Sequence, residues 1–152
     1  MSHAVEVCLR SFTYDGSDQP VLKDTDFYFD YGQVTLLSGL SGCGKSTLLS
    51  LINGVIPRMT SGTLDGKVLV DGEDVAGHSM SRISRKVGCV LQNAESQIIH
   101  QSAEDEIAFG CENFGIDPKE IDRRIDESCA KLKLKRGMAT RTLSGGQKQR
   151  LV

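Results

Sequence analysis

The stretch GLSGCGKST at residues 39–47 constrains the fold of this chain more than any other feature. It fits the pattern G-x-x-x-x-G-K-[ST], in which glycines let the backbone curl so that several N–H groups point into one small cavity. Residues 34–38 before it predict a short buried strand. Residues 45–53 after it predict a helix whose positive dipole end faces the same cavity. This strand-loop-helix context predicts a phosphate-binding loop.

The side chains of this loop suit a phosphate chain that carries a metal ion. Lys45 adds a compact positive charge for the outer phosphates, and Ser46 offers a hydroxyl to Mg²⁺, a hard ion that prefers oxygen. Cys43 lies among oriented amides and beside Lys45, which favours a thiolate; the alternative is an inert packed thiol. We expect ligand contacts from Gly39, Ser41, Gly42, Cys43, Gly44, Lys45, Ser46 and Thr47.

Composition argues against several other classes of protein. The 152 residues suffice for one domain with a core, and a net charge of -2 lacks the basic excess of a nucleic-acid-binding domain. No run is apolar and long enough to span a bilayer, and no signal-peptide pattern is visible. The five cysteines are widely spaced without a CxxC, so we expect reduced thiols. Solvated charges rather than a nucleic-acid site are expected at Lys131, Lys133, Lys135 and Arg136.

Hydrophobic periodicity predicts an α/β chain. Residues 4–9 and 26–30 alternate as half-exposed strands, and residues 67–70 predict a hairpin strand between Asp-Gly turns at 65–66 and 71–72. Residues 87–91 predict a buried strand that ends at Gln92. Helices are predicted over residues 79–86, 102–113 and 117–132, the second beginning with a capping box at Ser102 and the third with Pro118.

A second motif lies near the end of the sequence, where residues 142–150 read TLSGGQKQR. Its Ser-Gly-Gly backbone can approach a phosphate closely at a predicted helix N-terminus. Together with the phosphate loop, this run resembles the signature motif of ABC ATPases, and the resemblance covers the whole chain. Around Gln92, Gln97, Glu112 and Asn113 the sequence is similar to the ATPases of energy-coupling-factor transporters, which import vitamins and transition-metal ions such as cobalt and nickel.

The resemblance implies a P-loop NTPase fold of the ABC type, α/β in class, with an N-terminal antiparallel β subdomain, a helical subdomain and an incomplete central sheet. We expect residues 1–101 to form the β and phosphate-loop core, residues 102–142 the helical subdomain, and residues 143–152 the signature and the start of the following helix. In the family, the Walker B aspartate, the catalytic glutamate and the switch histidine come after this point. The chain is therefore expected to be C-terminally truncated, poorly soluble, and able to bind ATP without hydrolysing it alone.

The resemblance also implies a role for individual residues. Tyr14 would stack on adenine, with Val21 beyond it; the alternative is that Tyr14 is an ordinary strand aromatic. Ser46 and Gln92 would reach the metal ion. The residues expected to take part in catalysis are Lys45, Gln92, Ser144 and Gly146. The residues expected to contact the ATP of a second subunit are Ser144, Gly145, Gly146 and Gln147.

The implied function is that of the ATP-binding subunit of an ABC importer, an ATP hydrolase that uses ATP and Mg²⁺ and couples hydrolysis to transport. Its partners would be a second ATPase subunit in a head-to-tail dimer and a polytopic transmembrane subunit that contacts the region from Gln92 to Glu112. No nucleic acid is expected, and the location would be peripheral at the cytoplasmic face of the membrane. Two alternatives stay open: a non-catalytic nucleotide-binding fragment or regulator, and a non-transport ABC ATPase that acts on DNA or ribosomes.

Overall fold

The first half of the chain forms a four-stranded antiparallel sheet with the strand order β2-β1-β3-β4. In this computed structural model, which describes residues 3–152, the strands are β1 (Val5–Tyr14), β2 (Leu22–Phe29), β3 (Gly62–Val70) and β4 (Glu73–Asp74). The central strand β1 pairs with both β2 and β3. The predicted alternation is confirmed by the buried side chains Val7, Leu9, Phe12, Val68 and Val70.

Three short helices belong to the same compact unit, which ends at Cys89: α1 (Lys45–Ile52), α2 (Val55–Arg58) and α3 (Met80–Ile83). Helix α1 begins directly after the last glycine of the phosphate loop, as the motif predicts. Its side chains Leu48, Leu51 and Ile52 join the apolar cluster formed by the sheet. Leu49, by contrast, is 51% exposed.

Two of the predicted strands do not form. Residues 33–40 and 87–91 have no strand structure, and Val34 is 103% exposed and Leu36 88% exposed. An apolar run becomes a strand only where a neighbour completes its backbone hydrogen bonds. Among residues 3–152, no strand pairs with either run. The prediction of strands there is wrong for this structure, whereas the central sheet is incomplete, as expected.

The two Asp-Gly pairs differ from each other in structure. Asp71 and Gly72 have φ angles of 50° and 73° and form the predicted turn between β3 and β4. Asp65 and Gly66 lie inside β3 instead, opposite an irregularity in the register of β1. The prediction of a turn at residues 65–66 is therefore wrong, because this first Asp-Gly pair lies inside β3, opposite a bulge in β1.

The second compact unit, Val90–Val152, is helical. It contains α4 (Ala103–Asn113), α5 (Pro118–Leu132) and α6 (Gly145–Leu151). Ile121, Ile125 and Cys129 form the buried stripe of α5, as predicted from their spacing. The subdomain boundaries predicted at residues 101 and 142 stay predictions. Within residues 3–152, no helix combines the length and the apolar character needed to cross a bilayer.

Arg136 links α4 to α5. Its guanidinium donates to Glu104 at 3.0 Å and to Asp126 at 3.1 Å, and it also bonds to Asp122. Hydrogen bonds to Asp122 and Glu104 raise the pKa of Arg136 above its ordinary value. The Arg136 side chain remains 37% exposed, but the sequence did not predict that one cation would meet three carboxylates from two helices.

Candidate functional site

The phosphate loop is closed around its own lysine. Lys45 Nζ donates to the carbonyl oxygen of Gly39 at 2.9 Å and to that of Leu40 at 2.7 Å. The Sγ atom of Cys43 lies 3.5 Å from the same nitrogen. The lysine therefore lies within the curl of the loop, where the motif predicts that its charge is needed.

The glycines of the loop meet two different requirements. Gly44 has a φ of 92°, and a Cβ atom there would lie 2.7 Å from Leu22 Cδ2 and 3.1 Å from the carbonyl oxygen of Val21. It is thus held against the start of β2, where no side chain fits. Gly42 has a φ of 80°, but a Cβ atom there would meet nothing within 4 Å. The loop is consequently closely packed at Gly44 and open at Gly42. A phosphate chain could approach the backbone from the open side.

The N-terminus of α1 presents its first-turn amides without a side-chain cap. Gly44 is the N-cap residue and is in the left-handed conformation. Because it has no side chain, it cannot cap the helix as a serine or an aspartate would. Unpartnered amides at a helix N-terminus favour an anion. Ser46 is exposed on the first turn, whereas Thr47 is buried. Ser46 is therefore the hydroxyl of this turn that a solvated metal ion could reach.

Tyr14 and Val21 lie beside the phosphate loop. The hydroxyl of Tyr14 is 2.9 Å from Thr47 Oγ1, which joins the end of β1 to α1. The Tyr14 ring also packs edge-on against Phe12, with ring centroids 4.9 Å apart. The hydroxyl contact was not predicted from the sequence. The stacking of adenine on Tyr14 stays a prediction.

Gln92 lies in a short loop of the second unit that its neighbours close. The side-chain oxygen of Gln97 accepts from the backbone N–H of Leu91 at 2.6 Å, and Asn93 Oδ1 accepts from the N–H of Glu95 at 3.1 Å. The residues between these contacts, Gln92 included, are exposed or in a 3-10 turn. The sequence singles out Gln97 only for its resemblance to a subfamily, and the structure adds that it closes the loop.

Glu106 holds the segment that follows this loop. Its Oε2 atom accepts from the backbone N–H of Ile99 at 3.0 Å and from that of His100 at 2.8 Å. Its side chain is only 12% exposed. The sequence shows Glu106 only as an acid in the first turn of a helix, so this role was missed. Ile99 itself is 62% exposed, and Phe109, whose ring lies 4.9 Å from that of His100, is 39% exposed.

The signature motif forms a capping box at the start of α6. Ser144 Oγ accepts from the N–H of Gln147 at 3.3 Å, and the side-chain oxygen of Gln147 accepts from the N–H of Ser144 at 2.8 Å. Gly145 and Gly146 are exposed, and a Cβ atom at either would meet nothing within 4 Å. A ligand can thus approach the two glycines closely, while the Gln147 oxygen is engaged in the cap.

An ion pair connects the Gln92 loop to the signature helix. Lys148, which follows Gln147, bonds to the Oε1 atom of Glu95. The hydrogen bond from Lys148 and its charge lower the pKa of the Glu95 carboxyl. The two residues are 53 positions apart, and no sequence pattern predicted the contact.

The predicted site residues fall into two groups. Tyr14, Val21 and the phosphate loop belong to the first unit, and Gln92 belongs with the signature residues to the second. In each unit, the structure brings together residues that the sequence names separately. These are Tyr14 with Thr47 and Val21 with Gly44 in one unit, and the Gln92 loop with the signature helix in the other.

Comparison with known sequences finds a family and many relatives. The profile of the family described as ABC transporter matches residues 22–152. A putative ABC transporter ATP-binding protein of Methanosarcina acetivorans is 41% identical over 146 residues, which are 92% of this chain and 22% of that protein. One of Pyrococcus abyssi is 39% identical over 149 residues, 97% of this chain and 53% of that protein. The chain therefore spans about a fifth to about a half of the length of these relatives.

Comparison with solved structures identifies the fold. CbiO1 from Clostridium perfringens, described as part of the ABC transporter complex CbiONQ, superposes with a TM-score of 0.82 and 24% identity, over 99% of this chain and 59% of that one. A structure described as the ATP binding subunit of an ABC transporter superposes with a TM-score of 0.77 and 22% identity, over 97% of this chain and 59% of that one. The chain thus has the fold of the matched parts of these two proteins.

Proposed function

Since this chain belongs to the ABC transporter family, we propose that it is the ATP-binding part of an importer of the energy-coupling-factor type. The geometry of the phosphate loop carries this proposal. Lys45 Nζ lies 2.9 Å and 2.7 Å from two loop carbonyls, directly before the uncapped N-terminus of α1. The similarity in fold to CbiO1 supports the choice of subfamily, and the transported substrate stays open.

The residues of the loop divide the work of binding MgATP. Lys45 neutralises the outer phosphates, and the amides of the first turn of α1 donate to the same oxygens. The Ser46 hydroxyl would hold Mg²⁺, and Tyr14 and Val21 would contact the base. Gln92 belongs to the other unit and stays a sequence-based prediction as a metal ligand. Bound ATP supplies a phosphoanhydride whose hydrolysis drives transport. Ser144, Gly145, Gly146 and Gln147 contact the ATP held by a second copy in a head-to-tail dimer.

The exposed apolar side chains after Gln92 support a membrane partner. Ile99, on the segment that Glu106 anchors, is 62% exposed, and Phe109, on α4, is 39% exposed. Exposed apolar groups on a fixed segment favour docking of another protein. We place a polytopic membrane subunit on the region from Gln92 to Glu112, which puts the protein at the cytoplasmic face of the membrane as a peripheral subunit. In this proposal the 152-residue stretch binds ATP without hydrolysing it alone.

Nucleotide binding to the Lys45→Ala variant tests the proposal. Titration calorimetry with MgATP on the 152-residue chain should show at least about a tenfold weaker affinity, because a charged hydrogen-bond donor to phosphate is lost. Lys119→Ala, which removes an exposed lysine from the first turn of α5, is the matched control and should bind as the wild type does. Equal affinities of the two variants would overturn the proposal.

A further inference from the structure

The contact between Glu95 and Lys148 joins two segments that the proposed function assigns to different partners. Glu95 lies three residues after Gln92, in the region assigned to the membrane subunit. Lys148 follows Gln147, in the motif assigned to the second ATPase. The Lys148 side chain is only 19% exposed, whereas that of Glu95 is 65% exposed. The lysine is thus largely packed in place, and the carboxylate reaches it from the surface.

Local hydrogen bonds hold both ends of this ion pair. On the loop side, Gln97 bonds to Leu91 and Asn93 bonds to Glu95. On the helix side, the Lys148 N–H donates to the carbonyl oxygen of Ser144 at 2.9 Å, in the first turn of α6 that begins with the capping box. Because both ends are hydrogen-bonded, we expect a displacement of the Gln92 loop to reach the first turn of α6 through the pair.

A second connection fixes the base of the same two segments. Thr140 Oγ1 donates to the carbonyl oxygen of His100 at 2.7 Å, and the Thr140 N–H donates to that of Gln101 at 2.9 Å. Ser102 and Ala139 form an antiparallel bridge beside these contacts. The chain after the Gln92 loop and the chain before the signature are therefore held together by buried and backbone contacts. The ion pair is the exposed and more easily broken of the two connections.

We propose that Glu95 and Lys148 form a positioning pair that transmits docking of the membrane subunit on the Gln92 loop to the orientation of Ser144, Gly145 and Gly146. This inference rests on the proposed function, since it deepens the regulation of the same site. An exposed ion pair adds little to the stability of a fold. The pair therefore acts by linking the position of the Gln92 loop to that of the signature helix. Neither residue is a catalytic residue.

A charge-swap cycle in the full-length subunit, purified in complex with its membrane subunit, tests this pair. The quantity to measure is the stimulation, which is the rate of MgATP hydrolysis in the complex divided by that of the ATPase detached from it. Glu95→Lys and Lys148→Glu should each lower the stimulation by about two- to fivefold, the range expected for an exposed pair. The double variant should return to within about twofold of the wild type. A double variant as low as the single ones, or single variants without effect, would overturn the inference.

The rescue separates coupling from direct contact. If Glu95 acted only by touching the membrane subunit, Lys148→Glu could not restore the defect of Glu95→Lys. Glu127→Lys on α5, which breaks the exposed pair with Arg123, makes the same change in charge and should leave the stimulation unaltered. A loss in Glu127→Lys as large as in Glu95→Lys would attribute the effect to net charge and reject the pair.

Hydrogen exchange gives a readout that does not depend on activity. The amides of Gln147 and Lys148, which bond to Ser144, should exchange faster in both single variants and return to the wild-type rate in the double variant. If charge reversal prevents folding, Glu95→Gln and Lys148→Gln replace it, and their combined effect should then equal that of either alone. Additive effects would contradict the inference.

Lys45→Ala in the same complex distinguishes a failure of the proposed function from a failure of the Glu95–Lys148 pair. Hydrolysis that persists in Lys45→Ala would reject the proposed function itself. Hydrolysis that is lost in Lys45→Ala, together with a charge swap that fails to rescue, would reject only the pairing of Glu95 with Lys148.

Discussion

Gly66 lies where β3 comes closest to β1. Its φ is 128°, and a Cβ atom there would lie 2.3 Å from the carbonyl oxygen of Cys8 and 2.7 Å from the Cα of Leu9. Both contacts are with backbone, which cannot move aside as a flexible side chain can. The irregular register of β1 at this point therefore depends on glycine.

We expect Gly66→Ala to lower the free energy of unfolding by about 2 kcal/mol or more, because it combines backbone strain with a steric clash. Gly72→Ala is the matched control, since Gly72 has a φ of 73° but nothing within 4 Å of its Cβ position. It should cost about 1 kcal/mol, for the left-handed conformation alone. Urea denaturation of both variants measures the difference, and equal losses would contradict the assigned clash.

Gln147 combines a predicted ligand contact with an observed structural one. Its side-chain oxygen accepts from the N–H of Ser144 and completes the capping box of α6. We expect Gln147→Ala to cost about 1 kcal/mol of stability, whereas Gln147→Glu keeps an acceptor at this position and should cost less. Hydrogen exchange of the Lys148 amide, which lies in the first turn of α6, measures the loss. Equal exchange in Gln147→Ala and the wild type would rule out a role for the cap.

At the scale of elements, Glu73 ties β4 to α3. Arg82 donates to both carboxylate oxygens at 2.8 Å, and Lys86 Nζ lies 3.1 Å from one of them. The hydrogen bonds from Arg82 and Lys86 lower the pKa of Glu73 to about 2 from an ordinary value of 4.5. The ionised carboxylate is thus favoured in the folded state, and its contribution to stability is complete above the unfolded pKa.

Acid should therefore weaken this connection in a defined range of pH. As the pH falls from 4.5 towards 2, the unfolded chain takes up the proton before the folded chain does, so the stability due to Glu73 is lost in that interval. Urea midpoints measured between these pH values should decline less steeply in Glu73→Gln than in the wild type. Glu112→Gln on α4 removes a carboxyl elsewhere and serves as the control. The same acid slope in both variants would argue against the role of Glu73.

The strands and helices that the sequence predicts correctly are determined by residues within the element itself. The alternation in β1, the stripe Ile121, Ile125 and Cys129 in α5, and the Ser144 cap of α6 depend on neighbours close in sequence. The strands predicted at residues 34–38 and 87–91 depend on a partner strand, and the residues of these two segments do not indicate whether such a partner is present. The bond from Tyr14 to Thr47 and the pair of Glu95 with Lys148 join distant segments, and no local pattern predicts them.

At the scale of the whole chain, the apolar residues just before and at the start of the phosphate loop include the most exposed large apolar residues among those that the structure describes. Val34 is 103% exposed, Leu36 88% and Leu40 84%. Several exposed apolar side chains in one extended segment with unpaired backbone groups favour association between chains. We expect the 152-residue chain to self-associate at micromolar concentrations.

Leu36→Lys should reduce this association, because it replaces an apolar side chain of the segment by a charge. Met59→Lys is the matched control, since Met59 is 76% exposed but lies outside the segment, and both variants change the net charge from -2 by the same single unit. Light scattering over a concentration series measures the apparent mass. An equal reduction in the two variants would indicate that net charge, and not the exposed segment, controls solubility.

Two carbonyl oxygens, of Gly39 and Leu40, already accept hydrogen bonds from the Lys45 ammonium. They hold the loop in its curled form in advance, so little conformational freedom remains to be lost when an anion arrives. An incoming phosphate then competes with these carbonyls for the Lys45 ammonium. Its affinity therefore reflects the replacement of one hydrogen-bond acceptor by another, and not the formation of an additional hydrogen bond. Because a neutral carbonyl is a weaker acceptor than a charged oxygen, a highly charged polyphosphate displaces it more readily than a monovalent anion does. We therefore expect the loop to discriminate among ligands by charge as well as by shape.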